Sequence, residues 1–379
     1  MDVRSFELPL TYLPYFLAAG AIIALSWLLA KAFLTKRARS MAVWVEITVP
    51  EALQARQVAA LWRLVAGILP AARWWRLTPG HVTFEVHAAA DRLRCGLWLP
   101  PSVHPSPVMR AVVRAWPGAA ASITTPPTLP GDLSVLGRRL RYRETGWDQL
   151  REDDKPSTSR TSSARSDDSH AVYDALVAAS NAGAGILQIA VSRPPMRRLG
   201  VLREAAGTKP QAGLNATIAK LPLAVARWLL EAVVDLIGPS NSTQLSSQAN
   251  VKRDDPYTVR LARRKLAGAP HFVVDVRAAV ACKSRRKAST IAADITRGYA
   301  VLTNALLPIP WWFARKAVAR RDLPGRMSIL TTAAEAAVLI PLPAEPTLYA
   351  MPAAPGRQRP ASTELWSPDP AAWSRSDHL

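Results

Sequence analysis

Apolar residues recur along this chain with two periods, and one long stretch has none. From Leu8 to Ala30 the sequence LPLTYLPYFLAAGAIIALSWLLA carries no charge. At about 1.5 Å per residue such a helix is about 35 Å long and covers a hydrocarbon core of about 30 Å. Pro14 is tolerated if the regular helix starts near Leu13, because a first-turn N–H has no intrahelical partner to lose. Tyr12, Tyr15 and Trp27 stand near the ends, where amphipathic rings favour the interface. Asp2, Arg4 and Glu7 precede the stretch, and Lys31, Lys36, Arg37 and Arg39 follow it. The positive-inside rule therefore predicts a short N-terminus outside and the rest of the chain in the cytoplasm, at a cell inner or plasma membrane. Ala30-Lys31-Ala32 also fits a signal-peptide cleavage site, but the leading residues are acidic and the basic cluster is on the wrong side. The reading is an uncleaved single-pass anchor, 1–40, with a basic cytoplasmic collar.

Period two follows. Val43, Val45, Ile47 and Val49 share one face of a strand predicted over 42–49. Pro50 stops it, and 51–69 repeats Leu53, Val58, Leu61, Val65 and Ile68 at helical spacing. Alternation returns in 82–88 and again through Leu93, Cys95, Leu97 and Leu99. Ser106-Pro107 reads as an N-cap and N1 pair opening a helix that ends at Pro117-Gly118, before a strand over 121–125. The order β-α-β-β-α-β predicts a ferredoxin-like (split βαβ) unit over 41–130. Cys95 falls on its apolar face as a core residue, and His87, Glu46 and Glu85 fall on the other face, read as solvated and unpartnered.

A polar run over 145–169 has no apolar periodicity and is read as a disordered linker. Around it, 131–144 and 170–343 repeat the theme as a second α+β unit. Its elements are a strand at 135–143, a helix at 170–181 and strands at 185–192 and 272–282. A long helix over 284–306 and a strand at 327–330 follow. Thr332 and Glu335 form a capping box for a helix that Pro341 stops. A mostly helical insertion occupies 194–269. Within it, 221–238 resembles a second span, but Arg227, Glu231 and Asp235 each cost roughly 2.5–3.5 kcal/mol at a bilayer centre, so an amphipathic helix is expected instead. Residues 344–379 are rich in proline, with Trp366 and Trp373 as anchors of a disordered tail or docking peptide. The fold class is therefore α+β, one transmembrane helix followed by two ferredoxin-like units, the second with a helical insertion.

Composition narrows the function. Lys plus Arg total 48 against 28 acidic residues in 379, a net charge of +20. That favours an anionic partner, membrane surface or nucleic acid. Cys95 and Cys282 are too few for a disulfide framework, and the 6 histidines show no metal-ligand spacing. Gly207-Thr208-Lys209 lacks the first glycine of a phosphate-binding loop, and G-x-S-x-G and H-E-x-x-H do not occur. No catalytic residue, cofactor or metal is expected, and the protein is read as non-enzymatic. The positive charge gathers at Arg197 and Arg198 with Arg203, at Arg263, Arg264 and Lys265, at Lys283, Arg285, Arg286 and Lys287, and at Arg315 and Lys316 with Arg320 and Arg321. The second and third of these groups are the candidate anion or nucleic-acid contacts; the alternative is solvated helix faces in an Arg-rich composition.

LWLPPSVHPSPVMRAVVRAWPGAAASITTPP at 97–127 resembles the membrane-proximal region of the conjugative, type IV secretion-like DNA-transfer ATPases, the coupling-protein and HerA-type group. So do ALVAASNAGAGILQIAVSRPPMRRL at 175–199, DPYTVRLARRKLAGAPHFVVDVRAAV at 255–280 and SILTTAAEAAVLIPLP at 328–343. Family members continue into a RecA-like motor whose nucleotide-binding motifs have no counterpart in this sequence, so none of those residues carries over. The resemblance implies an inner-membrane anchor or adaptor pairing with a separately encoded RecA-like ATPase, with DNA and further copies of itself as partners. Two alternatives are a membrane-bound nucleic-acid-binding protein without a motor and a truncated, inactive ATPase remnant.

Overall fold

The charge-free stretch forms the start of helix α1, Leu13–Ser40, which continues through the basic collar instead of ending before it. Arg37 and Arg39 occupy its last turn, where cations oppose the negative helix terminus. Ile22, Ile23, Leu25, Leu29 and Phe33 are exposed, and the apolar part of the helix is not packed against the rest of the protein, whereas Ala38 near its end is buried. The helix is long and apolar enough to cross a membrane. Trp27 carries the Lys31 ammonium 4.7 Å above its ring, a pair suited to an interface. This computed structural model describes residues 13–51, 55–72, 78–142, 150, 169–208, 256–302, 305–311, 313–323, 328–343, 345–352 and 354. The predicted amphipathic helix over 221–238, Trp366 and Trp373 lie outside them.

The body is a mixed α+β structure on one antiparallel sheet. Its first half runs β1 (Val43–Thr48), α2 (Ala55–Ile68), β2 (Val82–Ala89), β3 (Arg92–Leu99), α3 (Pro105–Ala115) and β4 (Ala120–Thr124). The second runs β5 (Ser134–Tyr142), α4 (His170–Ala182), β6 (Gly183–Ser192), α5 (Met196–Ala205), α6 (Pro256–Ala267) and β7 (His271–Cys282). It goes on with α7 (Arg285–Arg297), α8 (Tyr299–Leu302), β8 (Leu306–Trp311), α9 (Ala314–Arg320), β9 (Ile329–Thr332) and α10 (Ala333–Leu339). Strand order is β4-β1-β3-β2-β6-β7-β5-β8, with β9 pairing β7. The two halves are therefore joined edge to edge, β2 against β6, from Val82↔Val191 to Ala89↔Ala184.

Helices cover one face. Trp62 and Val65 of α2, Val108 and Val112 of α3, Leu176 of α4 and Ile291 and Ile295 of α7 share a single core with Val45, Phe84, Leu97, Ile189 and Val276 of the sheet. Cys95 lies in that core, where burial pushes its thiol up to about 12. Over the second half the other face is covered too. Ala314 and Val318 of α9 pack on Ile186 and Ala279, with Leu129 of the β4–β5 connection beside them. Leu202, Ala206 and Ala262 of α5 and α6 cover Val273 and Leu330.

Several expectations change. The long helix predicted over 284–306 ends at Arg297, with Gly298 as its C-cap, and Leu306 begins edge strand β8 instead. The N-cap of α3 is His104, whose side chain accepts from Ser106 N, so Pro105 and not Pro107 is N1. The last strand is Ile329–Thr332, and the capping box of Thr332 and Glu335 forms as predicted. Within the predicted linker, Leu150 and Ser169 are buried, and Leu150 N–H donates to Glu335 Oε1 at 3.1 Å. The start of the predicted tail is also ordered. A 3-10 turn over Pro346–Tyr349 buries Tyr349, and Ala354 N–H donates to Val49 O at 2.9 Å.

Candidate functional site

Directly opposed residues in an antiparallel ladder point to the same face. Ser122, Glu46, Gly96, Glu85, Gln188, Arg277, Arg139 and Ile309 are opposed in sequence across all eight strands of the main path. One rung thus crosses the sheet on the face away from the large core. Its first half carries carboxylates and its second half guanidinium groups.

The middle of this rung is buried, which corrects the solvated reading of Glu85 and His87. Glu85 is fully buried, and three groups meet its carboxylate. Arg321 donates from Nε at 2.6 Å and Nη2 at 3.1 Å, Gln188 Nε2 donates at 2.8 Å, and His87 Nε2 lies at 3.0 Å. Burial opposes the charge, but the His87 hydrogen bond and the Arg321 charge outweigh it and hold the carboxyl down to about 2. Glu46, half-buried, takes both Nε and Nη2 of Arg94 at 2.6 and 2.7 Å, and that hydrogen bond lowers its pKa. In the second half, Arg139 Nε donates to Asp275 Oδ1 at 2.5 Å, and Arg277 Nη1 stands 3.6 Å from Asp275 Oδ2. Burial lowers the pKa of Arg277.

A tryptophan accompanies three of these arginines. Arg94 lies 5.2 Å from the Trp44 ring, Arg321 5.9 Å from Trp98 and Arg277 5.1 Å from Trp311. Gly96 permits the first stack, since a Cβ there would stand 2.5 Å from the Trp44 ring. The sheet also fastens the end of α9. Gln188 Nε2 donates to Val318 O at 3.1 Å, and the buried His81 Nε2 lies 2.6 Å from Arg321 O. Burial lowers the His81 pKa to about 4, so it is neutral at physiological pH and donates to that carbonyl. The next residue, Asp322, is ion-paired with Arg39 in the last turn of α1. A chain of ion pairs and hydrogen bonds thus runs from the end of the membrane-length helix to the centre of the sheet.

The cations singled out from the sequence separate into three places. Lys31, Lys36 and Arg37 are exposed on α1, and Arg39 is the half-buried partner of Asp322. Lys265 is not an anion contact: it is 1% exposed, donates to Tyr142 Oη at 2.8 Å and sits 3.4 Å from Glu335 Oε1. Arg263 keeps an exposed side chain, yet its Nε ties α6 to Ala206 O of the α5 cap at 2.8 Å, while Arg264 is exposed beside it. Lys283, Arg285, Arg286 and Lys287 are all exposed and come together at the start of α7. Among the described residues there is no group of three or more His, Cys, Asp or Glu placed to hold a metal.

Sequence reasoning missed the roles of Glu85, His81 and Gln188, and took Arg321 only as one of a basic cluster. A signal was present in β6 and β7. Before its terminal Ser192, GILQIAVS has Gln188 as its one polar residue, and after His271 β7 shows only Asp275 and Arg277 among apolar residues of both faces. Strands apolar on both sides are covered on both sides, so an isolated polar residue there is buried and needs a partner. The chain matches no protein-family model, and no curated protein is significantly similar to it.

Proposed function

We propose that this protein is a non-enzymatic membrane-anchored adaptor, a subunit of a conjugative DNA-transfer or type IV secretion-like machine that works with a RecA-like ATPase. The observation that carries the anchored part is the union of α1 with the body. The exposed apolar helix runs without a break into its basic last turn, where Arg39 grips Asp322 beside the Arg321–Glu85 pair. A mobile tether needs no such attachment; a mount whose orientation matters does. Lys31, Lys36, Arg37 and Arg39, following the apolar stretch, support an orientation with the body on the cytoplasmic side.

The strand orders β4-β1-β3-β2 and β6-β7-β5-β8 support reading the halves as two ferredoxin-like (split βαβ) units, each with two helices on one face. The machine itself is assigned from the sequence resemblance over 97–127, 175–199, 255–280 and 328–343. The test is a pull-down of the full chain, solubilised in mild detergent from its native membranes. A RecA-like ATPase recovered in stoichiometric amount is the expected result. A monomer without such a partner, or a chain released from membranes by alkaline carbonate, overturns the proposal.

A further inference from the structure

We infer that Lys283, Arg285, Arg286 and Lys287 form a nucleic-acid-binding surface, reading phosphate without base preference, on the end of the body opposite the membrane helix. Placement is the first argument. Helix α1 enters the sheet at Val43, which pairs with Leu99, the last residue of β3. At that same end β2 begins at Val82, opposite Val191, and Val191 faces Val274 near the start of β7. The cations follow Cys282, the last residue of β7. From Val274 to Cys282 the strand rises about 27 Å at about 3.4 Å per residue. That exceeds the Debye length of about 8 Å at physiological ionic strength severalfold. A leaflet entered by α1 therefore exerts little attraction on this surface, and the collar on α1 serves the leaflet instead.

Composition is the second. Lys283 precedes the N-cap Ser284, and Arg285, Arg286 and Lys287 fill the first turn of α7, which has no acidic residue. Cations there oppose both one another and the positive helix terminus. Local rules broken in this way, at exposed residues that no packing requires, mark a place where an incoming anion restores the balance. Arg92 of the β2–β3 hairpin is exposed at the same sheet end, three strands from β7 and about 14 Å away. Asp91 and Asp132 at neighbouring strand ends are exposed and leave the five cations in excess. The third argument selects the partner. Among the described residues no large apolar side chain of α7 is exposed. A protein interface has an apolar, desolvated centre, whereas phosphate recognition needs only charge and donors.

The test uses the full chain in zwitterionic nanodiscs and a labelled 30-base-pair duplex of scrambled sequence, read by anisotropy over a salt series. Wild type is expected to bind, and the K283Q/R285Q/R286Q/K287Q variant to bind at least about ten-fold more weakly, with the log–log salt slope reduced by about 3–4. Its Tm is expected not to fall, and K36Q/R37Q on α1 to leave DNA affinity unchanged. Three results each overturn the inference: no binding by wild type at low salt, equal binding by the quadruple variant, or displacement of the duplex by polyglutamate at equal charge. The last would assign the surface to acidic proteins. Only the direction in which the surface points rests on the anchored reading. A failed ATPase pull-down with intact DNA binding would remove the adaptor and leave this surface standing.

Discussion

At the scale of single residues, the polar face repeats one solution to the burial of charge. An arginine is paired with a carboxylate and laid on an indole in Arg94–Glu46–Trp44, in Arg321–Glu85–Trp98 and in Arg277–Asp275–Trp311. In the first two trios hydrogen bonds from the guanidinium to the carboxylate oppose the desolvation cost while the ring covers its face. Arg277 stands 3.6 Å from Asp275, and its buried Nε and Nη2 have no hydrogen-bond partner among the described residues. His81 achieves burial differently, by staying neutral. Its folded pKa of about 4 lies below the ordinary 6.5, so as pH falls the unfolded chain takes up the proton first. Its contribution is whole above 6.5 and disappears as pH falls toward 4, a loss of up to about 3 kcal/mol at about 1.4 kcal/mol per unit. Glu85 adds its own loss only below its ordinary value of 4.5. Urea unfolding is therefore expected to show stability falling steeply between pH about 7 and about 4.5. His81→Gln keeps an N–H donor for Arg321 O without titrating and should flatten that interval; an unchanged slope would show that the histidine is not the group responsible.

At the scale of elements, the short helix α9 is held by side chains more than by its own length. Its seven residues make few turns; what fixes it is Gln188 on Val318 O, His81 on Arg321 O and Glu85 on the Arg321 guanidinium. Glu85→Gln leaves that guanidinium half-buried without a counter-charge and is expected to cost about 3 kcal/mol. Hydrogen exchange should quicken at the amides of 314–321 while those of α7 stay protected; uniform quickening would mean a general loss of stability instead. None of these bonds was legible in the sequence, because Arg321 and Glu85 lie 236 positions apart and Gln188 and Glu85 103. They meet only once the strand order is known. Elements with a clean period were legible. Strands β1, β2, β3 and β7 alternate apolar residues, and the cap of α10 is written in Thr332 and Glu335. Strand β8 was not, since Pro308 and Pro310 argue against a strand everywhere except at an edge, where it lies. The predicted end of α7 failed for a related reason. Tyr299 and Leu306 keep the helical spacing past Gly298, but they belong to separate elements.

At the scale of the whole molecule, the sheet decides whether the two halves can exist apart. Across the β2–β6 seam the pairing is complete from Val82 to Ala89, and the core beneath it is continuous, with Phe84 and Val86 in the same cluster as Ile189 and Val276. Separating the halves would expose the edges of two central strands, bare of prolines and flanked by apolar residues, which is a template for aggregation. It would also strip Glu85 of Gln188 and Arg321. Each half thus depends on the other for hydrogen bonds as well as for apolar contact, a coupling that makes partial unfolding costly. The full chain in detergent is therefore expected to lose the secondary structure of its body and its tryptophan fluorescence in one coincident urea transition. A fragment of 41–130 alone should fail to give a soluble monomer. Two separated transitions, or a monomeric fragment, would show the seam to be an interface between independent domains. In that case the chain itself would join the anchor to the first half, and Arg39–Asp322 would reach a second half that opens separately; with one transition, the ion pairs from Arg39 to Glu85 fasten the anchor to the entire body.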